Sequence, residues 1–84
     1  MINRYLKGRK KEYKIMHEAK GGGKIVFRSA GSHSPIDVVV INRDERTIRF
    51  IQSKAESMSE NKREALRQEF NFLNGAFICK FEVI

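Results

Sequence analysis

The sequence predicts an α/β fold in which a mixed central β-sheet is flanked by two helices. Residues 34–41 form an apolar, β-branched run that is typical of a buried central strand, with one carboxylate, Asp37, inside it. Residues 48–54 alternate between apolar and polar side chains, as a half-buried strand does. Two further segments carry apolar residues at helical spacing. Together they predict one domain, residues 1–84, in the order helix, strand, strand, strand, helix, strand.

The first helix is predicted over residues 9–20. Ile15, Met16 and Ala19 fall on one face at helical spacing, and Glu12 falls on the same face. A carboxylate within an apolar stripe has two interpretations. Either Glu12 lies at the edge of the stripe and pairs with a lysine, or it points into a site as a metal ligand or orienting base.

Three strands are predicted to follow, beginning with residues 24–29. The glycines at 21–23 end the helix, because glycine adopts the left-handed conformation at a helix C-terminus without strain. The polar segment 42–47 contains no apolar residue and reads as the turn of a hairpin. We expect this hairpin to pair Ile41 with Ile48.

The same register places an acid, an amide and an amine at one end of the strand pair. It sets Asp37 opposite Gln52 and brings Lys54 to the same end. Hydrolysis of a phosphodiester requires charge neutralisation and an activated water, and Mg²⁺ supplies both from oxygen ligands. We expect Asp37, Gln52, the Ser53 carbonyl and Glu12 to hold the metal, while Lys54 holds the water or stabilises the phosphate. The alternatives are a structural aspartate at a strand start and a lysine that extends its ammonium into solvent.

The C-terminal half is predicted to form a helix and a last strand. Ser59 or Ser57 is the expected N-cap of a helix over residues 60–73, whose apolar stripe packs on the sheet. Residues 76–83 alternate as a strand, which the helical crossover makes parallel to one already in the sheet. Cys79, between two phenylalanines on that strand, is expected to fill the core.

The positive charge of the chain lies in its first third. Residues 1–28 contain nine Lys or Arg and two Glu, whereas the remainder contains eight residues of each sign. Such a distribution favours a polyanion-binding surface on one element, with solvated lysines as the alternative. DNA is expected rather than a membrane, since no long apolar face accompanies the basic residues. With no secretory leader or spanning segment predicted, a cytoplasmic protein is expected. The expected phosphate contacts are Lys7, Arg9, Lys10, Lys11, Lys14, Arg28 and Ser29.

Pro35-Ile-Asp37 followed by Gln52-Ser-Lys54 resembles the PD-(D/E)XK nuclease motif. Three surrounding stretches resemble the archaeal Holliday junction resolvases, so that the resemblance covers residues 6–56: Lys7-Gly8 followed by Glu12, Phe27-Arg-Ser-Ala-Gly-Ser32 and Ser34-Pro-Ile-Asp-Val-Val38. The resemblance implies a restriction-endonuclease-like core, Mg²⁺ or Mn²⁺ as cofactor, and a homodimer that cuts branched or junction DNA. The implied catalytic positions are Glu12, Ser32, Asp37, Gln52 and Lys54.

Gln52 stands where that family has an acid, which removes one negative charge from the metal shell. Three functions follow from these residues. The first is a metal-dependent endodeoxyribonuclease of resolvase type. The second is a catalytically weak or inactive protein that binds branched DNA on the same fold. The third is a general basic DNA-binding protein with no preference for branched DNA.

Overall fold

The computed structural model describes residues 4–29 and 34–84, with side chains from residue 7 onwards. The described part is a mixed α/β structure with two α-helices and a three-stranded antiparallel sheet in the order β1-β2-β3. The elements are α1 (Arg4–Ala19), β1 (Ile25–Arg28), β2 (Val38–Asn42), β3 (Thr47–Ile51), α2 (Glu60–Glu69) and a 3-10 turn (Asn71–Leu73).

The predicted hairpin is confirmed, including its register. Ile41 faces Ile48 across β2 and β3. The turn between them is closed by the Asn42 side chain, which accepts a hydrogen bond from the Glu45 amide at 3.1 Å. Asn and Asp side chains favour turns for this reason. Ser59 is confirmed as the N-cap of α2, since its hydroxyl accepts from the Lys62 amide.

The bounds of both helices differ from the prediction. Helix α1 begins at Arg4, five residues earlier than expected, and continues through Gly8. Glycine costs about 1 kcal/mol within a helix, and the good helix formers around it offset this penalty. Helix α2 ends at Glu69, and the chain tightens into the 3-10 turn before Asn74.

The predicted last strand is wrong. Residues 74–84 have no regular secondary structure, so the sheet of the described residues is antiparallel throughout rather than mixed. Alternation alone does not form a strand, because the backbone needs a hydrogen-bonding neighbour. The core position expected for Cys79 is also wrong: its side chain is exposed, and Phe81 is 90% exposed.

The core lies between α1 and one face of the sheet, which we call the α1 face. Arg28, which bonds to α1, alternates in phase with Val38 and Val40. Those two valines are 0% and 2% exposed. The opposite face, called the open face, carries Phe27 and Phe50, which are 47% and 42% exposed. None of the helices in the described part of the chain is long and apolar enough to cross a membrane.

Candidate functional site

The residues of both half-motifs meet at one end of the sheet. In the antiparallel order, the end of β1, the start of β2 and the end of β3 are neighbours. Asp37 immediately precedes β2, and Gln52, Ser53 and Lys54 immediately follow β3. All four are partly buried. The fold therefore places the two half-motifs side by side, as the hairpin register predicts.

Asp37 connects the neighbouring strand ends through its backbone and its carboxylate. Its amide donates to the Ile51 carbonyl at 2.8 Å, and its carbonyl accepts from the Ser29 amide at 2.9 Å. Its Oδ2 accepts from the Ser53 amide at 2.7 Å. Because the register sets Asp37 opposite Gln52, its bond to Ile51 departs from the regular ladder. Such irregularities re-aim side chains at strand ends.

Gln52 and Lys54 line a cleft of about 260 Å³ between the end of β3 and helix α2. Their alternation along the chain points both side chains the same way, while Ser53 between them turns its amide to Asp37. The acid therefore contacts the second half-motif through the backbone. The amide and the amine open into the cleft.

Lys11 fastens helix α1 to this segment. Its ammonium donates to the carbonyl of Lys54 and lies 3.2 Å from the carboxylate of Glu56. The hydrogen bond and positive charge of Lys11 lower the pKa of the Glu56 carboxyl. Lys11, an expected phosphate contact, thus holds the Lys54 backbone in this structure.

Glu12 pairs with Arg28 of β1, at 2.7 Å between Oε2 and Nε. The side chains are 17% and 18% exposed, so this ion pair is half-buried. Of the two interpretations of Glu12, the structure has the paired one, with an arginine as partner instead of a lysine. The Arg28 guanidinium also lies over the Tyr13 ring, 5.1 Å from its centroid. Arg28 therefore holds α1 against the sheet beside the half-motifs.

The remaining expected phosphate contacts differ in their surroundings. Lys7, Lys10 and Lys14 are exposed on α1. Arg9 lies 5.5 Å from the centroid of Tyr13, and its hydrogen bond and charge lower the pKa of that phenol. Ser29 is partly buried, and Ser32 lies outside the described residues.

The donor set at this end of the sheet fits a hard divalent cation. Asp37 offers a carboxylate, Gln52 an amide oxygen and Ser53 a backbone carbonyl, which are the ligand types that Mg²⁺ takes. The described residues contain no grouping of three or more His, Cys, Asp or Glu side chains suited to a metal. A metal here would therefore depend on neutral oxygens beside Asp37, with Glu12 joining only if it left Arg28.

Arg63 is a site residue that the sequence reasoning missed. It donates to the carbonyls of Ala55 at 2.7 Å and Met58 at 3.3 Å, and it lines the cleft with Gln52 and Lys54. A signal was present in the sequence. Arg63 lies four residues after the N-cap, close enough to the loop before the helix for a long side chain to reach back over it.

Comparisons with known proteins leave the site to be argued from its own geometry. No family model matches the chain, and no match was found among curated proteins or among solved structures.

Proposed function

We propose that the protein is a small metal-dependent endodeoxyribonuclease that acts on branched DNA, in the manner of the Holliday junction resolvases that its motifs resemble. The observation that carries the proposal is the contact of Asp37 with the Ser53 amide, between Gln52 and Lys54. It brings the acid of the first half-motif beside the chain segment that carries the amide and the amine of the second. Mg²⁺ is the proposed cofactor, with Mn²⁺ as a substitute.

Each group of the site has a role in that reaction. Asp37, Gln52 and the Ser53 carbonyl are the proposed metal ligands, and Glu12 is a ligand only in a state in which it leaves Arg28. A bound metal would neutralise phosphate charge and lower the pKa of a coordinated water. Lys54 is proposed to orient the attacking water or to stabilise the charge that develops on the phosphate.

The proposed fold is the restriction-endonuclease-like core. The order of α1, three antiparallel strands and α2 agrees with its first five elements. The sixth element of that core, a last strand, has no counterpart among the described residues. The exposed lysines of α1 are proposed to grip DNA phosphates, and a homodimer is proposed to place two sites on one junction.

A cleavage assay tests the function. The protein is incubated with a labelled four-way junction or a matched linear duplex, in Mg²⁺ or Mn²⁺, beside Asp37→Asn. We expect paired nicks in the junction and loss of at least about 100-fold in rate in the variant, as for other groups that stabilise transition-state charge. Full activity of Asp37→Asn would exclude the proposed site.

A second candidate function is binding of branched DNA with weak or no cleavage. The neutral Gln52 and the engagement of Glu12 by Arg28 favour it. The variant Gln52→Glu separates the two candidates, because it restores one negative charge to the metal shell. Increased Mg²⁺-dependent cleavage supports the nuclease. Tight junction binding with no cleavage by either protein supports the binding function.

A further inference from the structure

We infer that the cleft between β3 and α2 is a binding site for a single unpaired nucleotide, with its phosphate at Lys54 and Arg63 and its base against Phe50. The inference rests on the proposed function only in treating that nucleotide as part of a DNA substrate. The charge, the shape and the lining of the cleft support a nucleotide site independently of that function.

The charged side chains that line the cleft are Lys54, Arg63 and Arg67, and none of the described residues lining it is acidic. Arg67 is neutralised by Glu60 and Glu64, at 2.6 and 2.9 Å. Lys54 and Arg63 lie within salt-bridge distance of no carboxylate among the described residues. Arg63 also acts at longer range on the Glu56 carboxylate, whose pKa its charge helps to lower. Two cations without an ion-pair partner at one concave site favour an anion.

Arg63 is held in place without losing its charge. Its two bonds, to the Ala55 and Met58 carbonyls, go to neutral acceptors and use part of its five-donor guanidinium. The remaining donors keep a fixed direction, because these bonds restrain the side chain. A restrained guanidinium loses less entropy on binding a phosphate than a mobile surface lysine does.

Apart from Gln52, the rest of the lining is apolar and includes an aromatic surface. Phe50 of β3 and Phe70 after α2 line the cleft with Leu66 and Leu73. Phe50 is 42% exposed, so one of its surfaces remains accessible. Bases of single-stranded nucleic acid stack on aromatic side chains of this kind without needing a particular sequence.

A nucleotide satisfies both halves of the cleft at once. A phosphate alone would leave the phenylalanine surface uncovered, and an apolar molecule alone would leave Lys54 and Arg63 without an anion in the cleft. The volume of about 260 Å³ suits one nucleotide unit rather than a duplex. A base at a junction or strand end can enter without the full cost of unpairing, so the cleft favours DNA with unpaired positions.

Nuclear magnetic resonance titration of the full chain tests the inference in EDTA, where no cleavage occurs. The probes are deoxythymidine 5′-monophosphate and, separately, inorganic phosphate. We expect saturable shifts at Gln52, Lys54, Arg63 and Phe70 with the nucleotide and much weaker binding of phosphate. Equal affinity for the two probes, or shifts confined to residues 7–14, would overturn the inference.

Variants sharpen the result. Arg63→Gln is expected to weaken nucleotide binding by about tenfold or more, because it removes a charge-assisted hydrogen bond to the phosphate, and tenfold corresponds to about 1.4 kcal/mol. Phe50→Leu keeps the apolar volume, loses the ring and is expected to weaken it several-fold. Lys62→Gln removes the same charge from the neighbouring position on α2 and serves as the matched control. If Arg63→Gln loses its cooperative melting transition, Arg63→Lys and Phe50→Leu carry the test. An effect of Lys62→Gln equal to that of the cleft variants would contradict the assignment.

The two proposals fail separately. Loss of cleavage in Asp37→Asn without nucleotide shifts in the cleft would keep the nuclease and reject the nucleotide site. Saturable binding in the cleft by a protein that cleaves nothing would keep the nucleotide site and reject the nuclease. If both hold, Arg63→Gln should raise KM for branched DNA more than it lowers kcat.

Discussion

The two faces of the sheet differ in how completely they are covered. On the α1 face, Val38 and Val40 are 0% and 2% exposed, and the Glu12–Arg28 pair closes the edge. On the open face, Ile25 and Phe27 are 59% and 47% exposed. The stability of the described residues therefore comes mainly from the α1 face. The predicted packing of the α2 apolar stripe on the sheet is wrong, since no residue of α2 is buried and the helix makes no close backbone contact with a described strand. The open face therefore leaves space for the cleft.

The largest expected difference is between the α1 face and the exposed C-terminal segment, and one substitution in each measures it. Val38→Ala removes two methyl groups from the α1 face and should lower the free energy of unfolding by about 2 kcal/mol. Val83→Ala, at a residue that is 86% exposed, should change it by less than about 0.5 kcal/mol. Urea unfolding of both variants measures the difference. Equal losses would mean that residues 76–83 are packed in solution.

The second prediction compares two ion pairs. Glu12→Gln leaves Arg28 half-buried without its carboxylate, and should destabilise the fold by about 1–2 kcal/mol, less than for a fully buried pair. Glu64→Gln, in an exposed pair with Arg67, should cost less than about 0.5 kcal/mol. Chemical denaturation in EDTA measures both variants without a metal. A Glu12→Gln protein that is fully stable but fails to cleave would instead favour Glu12 as a ligand.

The features of the fold that could be predicted from the sequence are those set by local patterns of residues. The hairpin follows from alternation on both sides of a polar turn, and the N-cap from the preference of Ser59 for bonding a helix amide. The meeting of Asp37 with the 52–54 segment follows from the register. These features depend on residues close in the chain or directly paired across it.

The remaining features depend on how separate elements pack. Glu12 could be placed on the apolar stripe of α1, but its partner Arg28 is set by how the helix docks on β1. Lys11 likewise meets the Lys54 carbonyl only in the folded chain. The prediction of the last strand is wrong because alternation in residues 76–83 indicates only which side chains would share a face. It does not indicate whether a neighbouring strand is present to pair with them.

The third prediction compares exposed and engaged lysines on α1. Lys14→Gln should lower the slope of log affinity against log salt by about 0.9, because one phosphate contact is lost. Between roughly 50 and 200 mM salt, the affinity of the variant should therefore fall about threefold less than the affinity of the wild type. Lys11 is held by Glu56 and by the Lys54 carbonyl. The variant Lys11→Gln should therefore leave the slope nearly unchanged. Fluorescence anisotropy with a labelled junction measures both. The reverse order would mean that Lys11 leaves Glu56 to bind DNA.

The smallest expected effect is the pH dependence of the Lys11–Glu56 pair. Lys11 lowers the pKa of Glu56 in the folded protein, so the pair stabilises the fold above the unfolded value of about 4.3 and the stabilisation disappears as pH falls through the folded pKa. The difference in urea midpoint between the wild type and Glu56→Gln should be present at pH 7 and should shrink as the pH falls below about 4.3. A difference that grows on acidification would contradict the pairing. Because Lys11 also donates to the Lys54 carbonyl, protonation of Glu56 removes only one of its two anchors, and the Lys54 segment should stay attached to α1 at low pH.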